Sequence, residues 1–247
     1  MTGVQRERAN ILGSLVDMVD QRQSMERIAA FVREGGSHHI ITLNAEIVYQ
    51  AQEDEALRAI INRADLVTPD GIGVVWGGRR LGYEFRERVT GIDLVHLICE
   101  EAATAGWRIY FLGAAPGIAE RAAAELCRQY PGLQSAGAHD GYFTAAELPD
   151  LLGQIAALKP DILLAALGAP KQEFFIAQHR HALNIPVCIG VGGSFDVIAG
   201  EKKRAPDWMI KCNIEWLYRL LDEPQRWRRQ LALPRFMLSV MRQKRHS

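Results

Sequence analysis

The sequence predicts an α/β protein: a Rossmann-like, mostly parallel sheet with helices on both faces, plus a helical C-terminal appendage. Three observations carry that prediction. Short apolar runs alternate with helix-period segments over the first 200 residues. Two of the runs are apolar throughout, as strands covered on both faces are. Each run ends in a polar or glycine-rich turn. The boundaries follow: an α/β domain over 1–200 and a basic helical appendage over 201–247.

The segment Ile11 to Val16 is compatible with a first strand, ahead of a helix at 22–34. His39–Leu43 reads as a strand and 45–62 as the next helix. Asp65–Thr68 is the following strand, with helices at 71–80 and 91–105. Arg108–Leu112, Asp161–Leu167 and Pro186–Val191 complete the strand set. Helices at 117–130, 145–158 and 170–182 separate them.

Five turns close these strands: Thr42-Leu-Asn44, Pro69-Asp-Gly71, Gly113-Ala-Ala-Pro-Gly117, Gly168-Ala-Pro-Lys-Gln172 and Gly192-Gly-Ser-Phe-Asp196. In open α/β sheets ligands bind outside the carboxyl ends of the strands. All five turns are therefore expected to line one cleft.

Bulk composition narrows the function classes. The 247 residues are 48% hydrophobic and 23% charged, ordinary for a globular chain. Net charge is zero, yet residues 201–247 hold twelve Lys/Arg against five Asp/Glu, which is +7. Such asymmetry expects an anionic partner for the C-terminal surface. Cys99, Cys127, Cys188 and Cys212 are widely spaced, without a Cys-X-X-Cys pair. That fits a reducing compartment, with Cys188 as a buried thiol. The N-terminus lacks a signal-peptide apolar region, and the longest apolar run, Ile162 to Ala169, falls short of the ~20 residues that span a bilayer. A cytoplasmic protein, able to lie on a membrane, is expected.

The turn residues carry the chemistry. Asp70 can cap the helix after it or act as a carboxylate in the cleft. Thr42 and Asn44, two apart on a strand, share a face, although Asn44 is also a natural helix cap. The turn at Gly113 suits a phosphate at a helix N-terminus, or is merely tight; it lacks the Gly-X-Gly-X-X-Gly spacing. At Gly168, Lys171 and Glu173 read as a solvated cation and a cap, or with Gln172 as groups facing a sugar or base. Gly193 permits close backbone approach, and Asp196 is a ribose ligand or a cap. Lys202, Lys203 and Arg204 form a solvated run or meet a diphosphate. No Asp-X-Asp occurs, and Glu53-Asp-Glu55 reads as an acidic helix start.

In the appendage, Leu233, Phe236, Met237, Val240 and Met241 form one apolar helical face flanked by Arg235, Arg242, Lys244 and Arg245. That face reads as a membrane-lying helix, or as one packed on its own domain or on a second subunit.

Taken together, the turns resemble the WecG/TagA/CpsF family, glycosyltransferase family 26. The resemblance covers about Ile11 to Arg229. It rests on Thr42-Leu-Asn-Ala-Glu46, Pro69-Asp-Gly-Ile-Gly73, Glu87-Arg-Val-Thr-Gly-Ile-Asp93, Tyr110-Phe-Leu-Gly113, Gly141-Tyr-Phe143, Pro160-Asp-Ile-Leu-Leu164, Gly168-Ala-Pro-Lys-Gln-Glu173, Gly192-Gly-Ser-Phe-Asp196, Arg204-Ala-Pro206 and Glu215-Trp-Leu-Tyr-Arg-Leu220. It implies an inverting, metal-independent transferase needing no cofactor. Such an enzyme moves a sugar from a UDP-sugar to a polyprenyl-diphosphate-linked saccharide at the inner face of the plasma membrane. N-acetylmannosamine, its uronate, glucose and glucuronate are all conceivable sugars.

Carried over by motif, Asp70 is the base, and Arg88, Thr42, Asn44 and Gln172 complete the catalytic set. Gly113, Tyr142, Phe143, Gly168, Lys171, Gly193, Asp196, Arg204, Arg219, Arg226 and Arg229 would bind substrate. Tyr142 or Phe143 would stack on uracil, and the appendage would meet the membrane. Two rivals stand: a nucleotide-dependent oxidoreductase, disfavoured by the missing glycine fingerprint, and a non-catalytic nucleic-acid or membrane module. The cleft motifs argue against a nucleic-acid partner. Self-association through the C-terminal apolar face is the alternative to membrane docking.

Overall fold

Alternate residues along each central strand enter opposite cores. Ile40, Leu66, Phe111, Leu164 and Ile189 pack on one side of the sheet, whereas Ile41 and Val67, or Leu112, Leu163 and Cys188, pack on the other. This period of two is what a sheet covered on both faces requires. The computed structural model describes residues 6–206, 208–209, 216–218 and 232–245.

Six parallel strands make the sheet: β3 (His38–Leu43), β4 (Leu66–Pro69), β5 (Arg108–Gly113), β6 (Gln134–His139), β7 (Ile162–Ala166) and β8 (Val187–Gly190). Their order is β4-β3-β8-β7-β5-β6. One face carries helices α1 (Gln21–Glu34), α5 (Gly91–Ala105) and α6 (Ile118–Gln129), and the other α2 (Ala45–Gln50), α3 (Glu55–Arg63), α4 (Ile72–Arg80), α7 (Leu148–Leu158) and α8 (Lys171–Leu183). A short α9 (Ser194–Ile198) follows β8.

Three expectations need correction. The segment around Ile11 to Val16 is a hairpin, β1 (Arg8–Ile11) and β2 (Ser14–Asp17), paired antiparallel outside the main sheet. Leu12 and Gly13 turn the chain, both at positive φ. The helix expected at 45–62 is two helices; Asp54 caps the second by accepting from Leu57 N–H at 2.9 Å. β6 was not foreseen, because a half-exposed edge strand of sequence QSAGAH has no apolar run.

At the C-terminus, the structure favours one of the readings that the apolar stripe leaves open. Helix α10 (Ala232–Arg245) buries Phe236 and Val240 completely, in one core with α2 and α4. A Cβ on Gly77 would sit 2.9 Å from the Phe236 ring, so the α4 glycine leaves room for that ring. Gln243 pins the helix further: its Oε1 accepts from Leu12 N–H (2.9 Å) and its Nε2 donates to Asn10 O (3.1 Å). The apolar face therefore docks mainly on its own domain. Met237, Leu238 and Met241 remain exposed. No helix among the described residues is long and apolar enough to cross a membrane.

Candidate functional site

Strand register brings four turns together. Leu43 pairs with Pro69, Ile41 with Gly190, and Ala165 with Gly190, so β3 and β4 end side by side, two residues beyond the end of β8 and close to that of β7. Their turns, the 88–92 segment and part of the C-terminal region enclose a cavity of about 330 Å³. That is the size of a small-molecule site.

Asp70 lines this cavity. Its N–H bonds Leu43 O (2.8 Å), which continues the β3–β4 ladder one residue past the strand. The helix cap is Gly71, not Asp70, and no side chain caps α4. Gly71 has φ +83 and ψ 157, a conformation that side-chain-bearing residues avoid. The glycine turns the chain into the helix, and Asp70 presents a half-buried carboxylate to the cavity.

Around it, the predicted residues divide. Thr42, Asn44, Arg88, Gly168, Gln172 and Gly193 line the same cavity. Asn44 does cap α2, its Oδ1 accepting from Ile47 N–H at 3.0 Å. Thr42 is buried and donates its hydroxyl to Gly190 O at 3.0 Å. Arg88 is carried beside the β4 end because Val89 N–H bonds Pro69 O at 2.9 Å.

Gln172 is also held within the protein. It is fully inside the protein, its Oε1 accepting from Gly192 N–H (3.0 Å) and its Nε2 donating to Glu173 Oε1 (2.9 Å). Both ends of the amide are engaged within the protein, so the side chain shapes the wall that it lines. Glu173 caps nothing on the surface. It is completely buried, its Oε2 has no hydrogen-bond partner among the described residues, and burial pushes its carboxyl up to about 7.

Gly113, Tyr142, Phe143, Lys171, Asp196 and Arg204 are not on the cavity wall. Gly113 is glycine because a Cβ there would lie 2.5 Å from Ala166 backbone atoms, so β5 and β7 close on each other at that point. Phe143 packs on Phe175 (5.9 Å between ring centres), with Lys171 Nζ 5.4 Å above its own ring. Tyr142 projects outward, 75% exposed. Asp196 pairs with Lys202 at 3.7 Å, and Arg204 with Asp93 at 2.5 Å. Arg219, Arg226 and Arg229 lie outside the described residues.

Sequence reasoning left Glu46, Ser194, Trp216 and Tyr218 unassigned, yet all four line the cavity, and so do Lys202 and Lys203. Glu46 was quoted only within a motif; its position in the first turn of α2, two residues after Asn44, was the signal available. Among the described residues, no three His, Cys, Asp or Glu side chains gather as a metal group.

Comparison with known proteins decides the family. Residues 9–247 match the model of the glycosyl transferase WecG/TagA/CpsF family. The chain belongs to that family. It is 39% identical over 208 residues to a Bacillus spizizenii N-acetylglucosaminyldiphosphoundecaprenol N-acetyl-beta-D-mannosaminyltransferase, covering 84% of this chain and 80% of the relative. Proteins of the same name from Bacillus subtilis and Staphylococcus aureus are 34% identical over 235 residues and 35% identical over 240. Those alignments cover 95% and 96% of this chain, and 88% and 94% of the relatives. The WecG/TagA/CpsF motifs quoted from the sequence thus sit on a family glycosyltransferase scaffold, and four of its turns build the cavity.

Proposed function

We propose that the chain transfers N-acetylmannosamine from a UDP donor to the N-acetylglucosamine of an undecaprenyl-diphosphate lipid, with inversion and no metal. The sugar and acceptor are those in the names of its relatives; the UDP carrier and the stereochemistry follow from the family resemblance. The observation that carries the reading is one cavity lined by the Asp70 carboxylate and by the cations Arg88, Lys202 and Lys203.

The chemistry is a single displacement. An acceptor hydroxyl attacks the anomeric carbon as the bond from that carbon to the UDP oxygen breaks, and the bonding pair leaves with UDP. Asp70 takes the hydroxyl proton, which requires it within ~3 Å in the bound complex. Negative charge grows on the departing diphosphate, and the three cations offset it from fixed positions. Asn44, whose oxygen is held by Ile47 N–H, presents its amide end to sugar hydroxyls. The exposed ring of Tyr142 serves as a stacking surface for the base.

The acceptor is anchored in lipid, so the proposed reaction takes place at a membrane surface, and the family resemblance implies the inner face of the plasma membrane. Met237, Leu238 and Met241, beside Arg235 and Arg242, are the part of α10 left to meet a bilayer. The test is incubation of the purified chain with UDP-N-acetylmannosamine and an N-acetylglucosaminyl-diphosphoryl lipid. UDP release with extension of the lipid by one sugar is expected. Turnover only with a different UDP-sugar would reassign the donor, and none with any donor would overturn the reading.

A further inference from the structure

The loop at 201–206 is tied to three separate helices. Glu201 pairs with Arg121 of α6 at 2.5 Å. Lys202 N–H bonds Asp196 O of α9 at 3.0 Å. Arg204 Nη2 reaches Asp93 Oδ1 in the first turn of α5, also at 2.5 Å. The other oxygen of Asp93 accepts from the Thr90 hydroxyl at 2.7 Å, and Thr90 caps α5. Asp93 is thereby oriented by the segment that runs from Arg88 through Ile92 along the cavity.

We propose that the Arg204–Asp93 pair is a latch that seats the 201–206 loop on the cavity, so that Lys202 and Lys203 join Arg88 around the donor diphosphate. This rests on reading the cavity as a nucleotide-sugar site. Lys202 and Lys203 lie on one piece of the wall and Arg88 on another, and the two pieces are far apart in sequence. The Arg204 contact joins them directly. Arg204 is then a positioning residue: its guanidinium holds a carboxylate, and its neighbours meet the ligand. Trp216 and Tyr218 line the same cavity.

A double-mutant cycle separates a latch from a direct ligand. Asp93→Asn keeps an acceptor for Thr90 but removes the charge that holds Arg204. If the pair is a latch, Asp93→Asn and Arg204→Met each raise the donor KM about three- to tenfold with kcat nearly unchanged, and the double variant is no worse than either. Arg204→Lys should recover most of the affinity, which a misfolded variant would not. If Arg204 itself binds diphosphate, Asp93→Asn frees it and leaves the KM unchanged or lower. That result, or additive effects in the double variant, overturns the latch. UDP binding measured by calorimetry on the same proteins supplies the control. A wild-type chain that binds no UDP overturns the site reading and the latch together, whereas wild-type binding with an unaltered Asp93→Asn overturns the latch alone.

Discussion

Gln172 Oε1 accepts a hydrogen bond from Gly192 N–H at 3.0 Å, across the gap between the β7 and β8 turns. The contact is close enough that Gly190 has no space for a side chain: its Cβ would lie 2.5 Å from Gln172 Nε2. One buried amide therefore sets the distance between two of the turns that form the cavity.

Replacing it should cost stability as well as activity. Gln172→Leu removes the amide that meets the buried Glu173 Oε1 and the acceptor of Gly192 N–H at the cavity edge, a loss of about 1–3 kcal/mol. Urea denaturation of the purified variant measures it. A residue serving only as a sugar ligand would lose activity while its unfolding midpoint stayed put.

Glu173 makes the fold pH-sensitive. Burial raises its carboxyl to about 7 from an ordinary 4.5. A raised acid favours the folded state fully below its unfolded value, and that advantage is lost as pH rises through the folded value. The window is therefore about pH 4.5 to 7. Glu173→Gln removes the ionisation and should gain up to about 3 kcal/mol relative to wild type at pH 8, with little gain at pH 4.5. Denaturation curves at the two pH values test this; an equal effect at both would show that Glu173 does not ionise in the window.

Among the described residues, two carboxylates line the cavity, Asp70 and Glu46. If Asp70 is the base, Asp70→Asn should lower kcat by about 10²–10⁴ with the donor KM little changed. Glu46→Gln should act mainly on KM, by less than about tenfold. Steady-state UDP release on both variants decides between them, and a larger kcat loss in Glu46→Gln would transfer the role.

The C-terminal helix divides into structural and exposed positions. Phe236→Ala empties a fully buried ring site against Gly77 and should cost about 3–5 kcal/mol. Met237→Gln and Met241→Gln should fall within about 0.5 kcal/mol of wild type. Thermal melts separate the two classes. Liposome flotation of the methionine variants then reads membrane affinity without a folding defect.

What the sequence made legible follows from how local each signal is. The β3, β5, β7 and β8 strands announce themselves because their side chains enter core on both faces and must be apolar. β6 borders only β5 and carries half-exposed small residues, so no period marks it. Asp70, Arg88, Thr42 and Asn44 were found through turn chemistry and motif order, and they share a cavity. The sequence could not show that Gly113 makes room for Ala166, or that Arg204 would meet Asp93, 111 residues away. Those facts depend on tertiary contact. The apolar stripe of α10 was visible, but a stripe does not say which surface will cover it.

The position of α10 has a temporal meaning. Leu233 touches the cavity while Phe236 and Val240 complete the core beneath it, so part of the wall comes from residues translated after the strands of the sheet. Every strand of the sheet is synthesised by Gly190, well before then. During translation the sheet can therefore pair ahead of the site, and an interrupted chain ending before Ala232 would carry Asp70 and Arg88 on an open rim. The cavity would then be completed in a step separate from sheet formation, when α10 docks on α2 and α4.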